Sequence, residues 1–388
     1  MTRIALLAAA LLACVPSVFP SARQQAAVAP RQNFDSMVRA AEKARDDNRG
    51  DEAIRLFRQA LSQQPESQEA LWYLGTLLYE KEHYSEALDV LRQFATLRAD
   101  AGPAWALIGL SEFQLREYTR ALDHLQRAMT QGMGDRQELI QTVFYDDVVL
   151  LTRSERYDDS IDMLQKMLSS GSPDPLLVEP AGLAGLRLPL LPAEIPPNRR
   201  GLIDLAGRCV IALQTQHYDE AETGFKQLVS TYPDEPGVHF LYGAYLEQLH
   251  PGESVAEFER ELQISPSHVL ARIRLAEEMI AQRNFDRALT LAQQAIKLDP
   301  KRASAHMLAG EALLGSNSAA DGIRELETAR DLDQTEIRIH WDLLRAYLAA
   351  GRKDDAEREK QAIEKLNDSH APAPSVVGAQ NPQHGTVP

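Results

Sequence analysis

A small residue recurs along this chain at a near-constant interval: Ala53, Ala87, Ala121, Ser160, Ala221, Ser254, Ala288, Gly322 and Ala356. The steps between them are 34, 34, 39, 61, 33, 34, 34 and 34 residues. Each opens the same short pattern, as in Asp51-Glu-Ala-Ile-Arg-Leu-Phe57, Ser85-Glu-Ala-Leu-Asp-Val-Leu91 and Asp286-Arg-Ala-Leu-Thr-Leu-Ala292. Other positions keep step. Twelve residues earlier comes a second small residue, at Ala41, Gly75, Gly109, Cys209, Ala276 and Gly310. Three residues earlier lies an aromatic, at Tyr84, Tyr118, Tyr157, Tyr218 and Phe285. Twelve residues later a proline, Pro65, Pro233, Pro266 or Pro300, closes the copy, because a proline ends a helix. Such a register requires a row of similar modules, each packed on its neighbours.

These spacings resemble the tetratricopeptide repeat family, whose unit is two antiparallel helices. The resemblance implies an all-α, right-handed superhelical solenoid of helix-turn-helix repeats, nine copies long, with one Pro/Leu-rich insertion. Small side chains facing each other let paired helices approach, and large apolar residues fill the gap to the next pair. Three departures stand out: Asp147-Val148 replaces the Leu-Gly pair of the fourth copy, the sixth copy is one residue short near His250-Pro-Gly252, and Lys360 takes a core position in the ninth.

The expected organisation is a leader over 1–22, a flexible linker over 23–33, an N-terminal sub-array over 34–171, an insertion over 172–200, a C-terminal sub-array over 201–368 and a disordered tail over 369–388. The leader has Arg3, an apolar run Ile4–Val15 and the breaker Pro16, the form of a secretory signal peptide. Leu11-Leu12-Ala13-Cys14 resembles a bacterial lipoprotein box, which implies cleavage before a lipid-bearing Cys14; the rival is ordinary cleavage after Ala22. Either places the mature chain in the periplasm or envelope, with membrane contact only through that anchor. The insertion holds seven prolines and many leucines. It reads as an ordered, extended segment laid along the array, either patching a joint between sub-arrays or docking a partner or second copy.

Composition narrows the function. Lys and Arg total 41 against 56 Asp and Glu, a net charge of −15. An acidic surface repels phosphate backbones, so nucleic acid is not an expected partner. No catalytic constellation emerges, and neither cofactor nor metal is implied. His306 and His340, and His239 with a one-residue offset, share one repeat slot, which argues for packing. Cys209 sits at a small-residue slot and reads as a buried thiol. Asp158-Asp159 and Asp354-Asp355 begin second helices, where negative charge favours the helix dipole.

In the resembled family the first helix of each pair lines a concave groove that takes peptides or protein segments. Carried to this chain, the groove positions are Trp72, Tyr79, Phe113, Ile273, Met307, Trp341 and Arg345. The reading that follows is an exported, non-catalytic scaffold or adaptor for a protein or peptide partner. The alternatives are a lipid-anchored component of an outer-membrane or secretion assembly and, further off, an accessory subunit of an envelope enzyme.

Overall fold

The computed structural model describes residues 28–169, 174–250 and 252–370. The leader with Cys14, residues 23–27 of the expected linker and residues 371–388 of the expected tail lie outside them, while residues 28–33, expected as a flexible linker, form the start of the first helix and residues 369–370 the end of the last. The described residues contain nineteen α-helices and three short 3-10 turns, and no strand. No helix among them is long and apolar enough to cross a membrane.

The chain divides into two compact bodies, residues 1–232 and 233–388. The first contains α1 (Val28–Asp46), α2 (Gly50–Gln63), α3 (Gln68–Glu80), α4 (Tyr84–Leu97), α5 (Gly102–Gln114), α6 (Tyr118–Gln131), α7 (Gln137–Arg153), α8 (Tyr157–Ser169), α9 (Val178–Gly185), α10 (Arg200–Gln214) and α11 (Tyr218–Thr231). The second contains α12 (Val238–Leu249), α13 (Ser254–Ile264), α14 (Val269–Ala281), α15 (Phe285–Leu298), α16 (Ala303–Gly315), α17 (Ala319–Leu332), α18 (Ile337–Ala349) and α19 (Lys353–His370). Apart from α9, these are nine helix pairs, each pair packed internally and stacked on the next within its body. Each body is thus a solenoid-like stack.

The small slots act as sockets for a large side chain. A Cβ added at Gly109 would come within 2.7 Å of Leu125, and one at Gly75 within 2.6 Å of Leu91. The two positions sit on the first helix of a pair, and the leucines that fill them come from the second. Ala53, Ala87, Ala121, Ala221 and Ala288 are fully buried on the second helices.

The turn inside each pair repeats as well. Asn48, Glu82, Arg116, Glu155, Gln216, Arg283 and Asn317 all have φ between 59° and 63°, and Gly351 has φ 73°. Each lies five residues before the small residue of its copy. The next backbone N–H donates to the carbonyl five residues back, as from His83 to Leu78 and from Ser318 to Leu313. This is the Schellman closure, which satisfies the last carbonyls of the first helix and reverses the chain. Acidic residues then open the second helix, as at Asp51, Asp158, Asp219 and Asp286, against its positive N-terminal dipole.

The insertion differs from the extended segment that its sequence suggests. Residues 178–185 form helix α9, with Pro180 in its first turn where a missing N–H costs nothing. It ends on the same turn, with Arg187 at φ 54°. α9 crosses α10 at contact distance: a Cβ on Gly182 would fall 2.1 Å from the Ile203 carbonyl oxygen, and one on Gly207 1.9 Å from that of Val178. It also touches α7 and α8. Arg153 on α7 donates to the Pro189 carbonyl at 2.6 Å, and Arg187 pairs with Asp158 at 2.6 Å. The insertion therefore ties α10 and α11 into the first body, and the division of the chain falls at Tyr232–Pro233, well past the break that the proline-rich stretch suggests.

Two outcomes follow. Gly207→Ala should lower stability by about 2 kcal/mol or more, since no flexible side-chain end can move aside, and should open 174–200 to protease; urea melts and limited proteolysis check it. Arg116→Gly should raise stability by about 0.5–1 kcal/mol in a urea melt, because glycine takes the left-handed conformation without a Cβ clash.

Candidate functional site

Successive first helices touch one another: α3 with α5 and α5 with α7 in the first body, α14 with α16 and α16 with α18 in the second. They form one face in each body. Residues that point along this face, toward the neighbouring first helix, become buried between helices.

That geometry corrects several of the groove positions. Trp72 is 8% exposed, with its ring 5.5 Å from Phe94, and Tyr79 is 3% exposed, edge-on to Tyr84. Burial, helped by Asp146 and Tyr84, pushes the Tyr79 hydroxyl above the usual range. Ile273 and Met307 are each 4% exposed. These four side chains are buried in the core clusters of their bodies and are not exposed to a partner in this arrangement. Phe113 is half-buried, edge-on to Tyr118. Trp341 is different: at 46% exposed it occupies the slot of Ile273 and Met307, but α18 is the last first helix among the described residues. Arg345, one turn on, is exposed and pairs with Asp342. Leu348, one further turn along, is 59% exposed and was not singled out by its sequence position.

Charged residues line the same face of the second body. Arg274 on α14 lies 3.7 Å from Glu247 on α12 and 3.3 Å from Glu277. Arg338 on α18 reaches back to Glu311 on α16 at 2.8 Å and to Glu277 at 3.5 Å. Burial raises the Glu247 carboxyl, with Glu277 and Glu278 adding to it and Arg274 opposing.

Glu311 and Asp342 meet across α16 and α18. Asp342 is 1% exposed. Arg338 donates to Glu311 Oε2 at 3.0 Å and Arg345 to Asp342 Oδ1, while Glu311 Oε1 and Asp342 Oδ2 are buried and accept no hydrogen bond from either arginine. Two carboxylates only accept, so a hydrogen bond between them needs one proton. Burial first, and then the neighbouring Asp342, push the Glu311 carboxyl up to about 7.

The histidines of the shared slot pack, as their recurrence suggests, and also bridge. His239, His306 and His340 each place Nδ1 2.5–2.7 Å from a glutamate of the second helix: Glu257, Glu325 and Glu359. Their Nε2–H donates to a carbonyl six residues earlier, at Pro233, Pro300 and Gln334. Trp105 Nε1–H does the same to Ala99 at 2.9 Å, and Arg272 does it to Pro266. In five of the nine pairs the slot thus fastens the loop that enters the pair. Among the described residues, no three His, Cys, Asp or Glu side chains gather so as to hold a metal ion. Cys209 is buried against Gly224, and burial pushes its thiol up to about 12. Asp147 is fully buried in α7, and burial pushes it up to about 6.

Two family models match parts of the chain. A family model described as tetratricopeptide repeat matches residues 273–337, and one described as anaphase-promoting complex, cyclosome, subunit 3 matches residues 46–128. Protein CTR9 homolog of Arabidopsis thaliana is 25% identical over 313 residues, 79% of this chain. The chain spans about a quarter of that relative, 26% of its length. Among solved structures, the MamA RS-1 ArsTM double mutant is 21% identical with a TM-score of 0.41, covering 44% of this chain and 97% of its own. MamA 41-end from Desulfovibrio magneticus RS-1 is 22% identical with a TM-score of 0.39, covering 45% and 98%.

The Glu311 carboxyl sets a pH dependence. Its folded value, about 7, lies above the ordinary 4.5, so its favourable contribution is complete below about pH 4.5 and is lost as pH rises through 7. Glu311→Gln keeps the shape and supplies an N–H for Asp342. It should therefore be more stable than the parent by about 1–2 kcal/mol at pH 8.5, with the gap closing toward pH 5, in paired urea melts.

Proposed function

We propose that this chain is an exported, non-catalytic adaptor that holds a segment of a protein partner on the face lined by its first helices. The observation that carries this reading is α18. In a body where the equivalent Ile273 and Met307 are buried, α18 leaves Trp341, Arg345 and Leu348 uncovered along one side at i, i+4 and i+7. An exposed aromatic next to an aliphatic on one helix stripe is the usual make-up of a binding anchor. The stacked-hairpin fold and the two family matches support a binding role in general terms. The acidic net charge of −15 favours a protein partner over nucleic acid.

Export rests on the leader. Arg3 and the Ile4–Val15 run would direct the chain out of the cytoplasm, and Leu11-Leu12-Ala13-Cys14 favours a second reading in which a lipid on Cys14 anchors it within an envelope assembly. Mass spectrometry of the membrane fraction separates the two: an acylated Cys14 supports the anchored form, and a soluble chain starting near Arg23 opposes it.

The binding reading is tested by a photo-crosslinking residue placed at Leu348 and, separately, at Leu332, which is 40% exposed on α17. The expected result is a discrete adduct from position 348 that Trp341→Ala removes and that position 332 does not form. The same adducts from both positions would defeat the reading.

A further inference from the structure

The Glu311–Asp342 pair has more acceptor capacity than the protein satisfies. Arg338 and Arg345 hydrogen-bond its outer oxygens, and the two inner ones, Glu311 Oε1 and Asp342 Oδ2, accept no hydrogen bond from either. Arg338 also lies 2.8 Å from Oε1, off the line of a hydrogen bond. The groups that set the ionisation of Glu311 all come from α18, and Glu277 on α14 adds a further carboxylate beside Arg338. A single shared proton is the smallest species that answers this arrangement. A nitrogen cation answers it more fully, since it brings several N–H donors and a whole charge to acceptors in a site of low dielectric.

Access is available on one side. Arg345 covers Asp342 on a side chain 73% exposed, so the guanidinium is the part of this pair that reaches solvent, and a cation that displaces it must replace its charge on the buried carboxylate. Trp341 lies one turn before Arg345 on the same exposed stripe of α18 and is 46% exposed; an indole face is the strongest aromatic partner for an ammonium or guanidinium.

We propose that Glu311 and Asp342, with Trp341 beside them, are the seat of a lysine or arginine side chain of the bound partner. This rests on the reading that the first-helix face holds that partner, and it specifies the partner's chemistry. The incoming cation takes the place of the shared proton: one N–H⁺ group enters, one proton leaves the carboxyl pair to solvent, and Arg345 swings off Asp342. Binding is therefore tied to proton release and tightens as pH rises through neutrality.

The test uses the full chain and a short fluorescent peptide of alternating lysine and alanine, read by anisotropy at about pH 6 and about pH 8 at constant ionic strength. Companion peptides carry Nε-acetyl-lysine or glutamate in place of lysine. The expected result is binding of the lysine peptide that tightens about three- to tenfold between the two pH values. Glu311→Gln and Asp342→Asn should weaken it and flatten the pH dependence, and Trp341→Ala should weaken it at both. Glu357→Gln, on the exposed side of α19, should behave as the parent, and thermal melts by circular dichroism confirm that each variant is folded. Equal affinity and equal pH slope in Glu311→Gln and parent would overturn the proposal, as would no binding of the lysine peptide. Binding of the acetylated or acidic peptide that depends on Trp341 would also overturn it, while leaving the first-helix face as the partner site.

Discussion

The contact on which the rest depends is the close approach of the two helices within a pair. At Gly75 and Gly109 the first helix has no side chain, and Leu91 and Leu125 of the second helix fill the place where a Cβ would be. Helices that close bury nearly all of the apolar surface between them, and the contact repeats from pair to pair. Because the approach is set by backbone and by one large side chain, it tolerates much variation elsewhere. The surfaces of the copies are free to diverge, as the different charges of α14, α16 and α18 show.

Stacking between pairs uses a different device. The slot held by Trp105, His239, Arg272, His306 and His340 reaches back six residues to a carbonyl in the preceding loop. A free carbonyl at a helix entry is costly to bury, so a donor of suitable reach is worth keeping even as its chemistry varies between indole, imidazole and guanidinium. The same logic explains the left-handed turns. Seven of the residues that close the first helices are not glycine, yet they hold φ near 60° because the Schellman bonds and the packed helices on both sides leave no other path.

The ionisable groups of the second body show what a stack does to charge. Helices laid side by side remove water from carboxyls that would be ordinary on an isolated helix, and the Glu311–Asp342 pair lies in such a joint. Nothing in the local sequence of either residue marks it. The two sit 31 positions apart and meet only because consecutive first helices are neighbours.

The 34-residue register determined a great deal by itself: the helical class, the division into pairs, and the small and large slots at which each pair closes. Periodicity can do this because every copy solves one local packing problem with the same residue types. It could not say which groove positions are reachable, since Ile273, Met307 and Trp341 share a slot, yet the first two are buried and Trp341, on the last first helix among the described residues, is exposed. Nor could composition show that a proline-rich insertion turns into helix α9, whose fit depends on Gly182 meeting Ile203 and Gly207 meeting Val178 across a crossing of two backbones. Tertiary structure decided those points, because burial and desolvation belong to contacts between copies and not to any one stretch of chain.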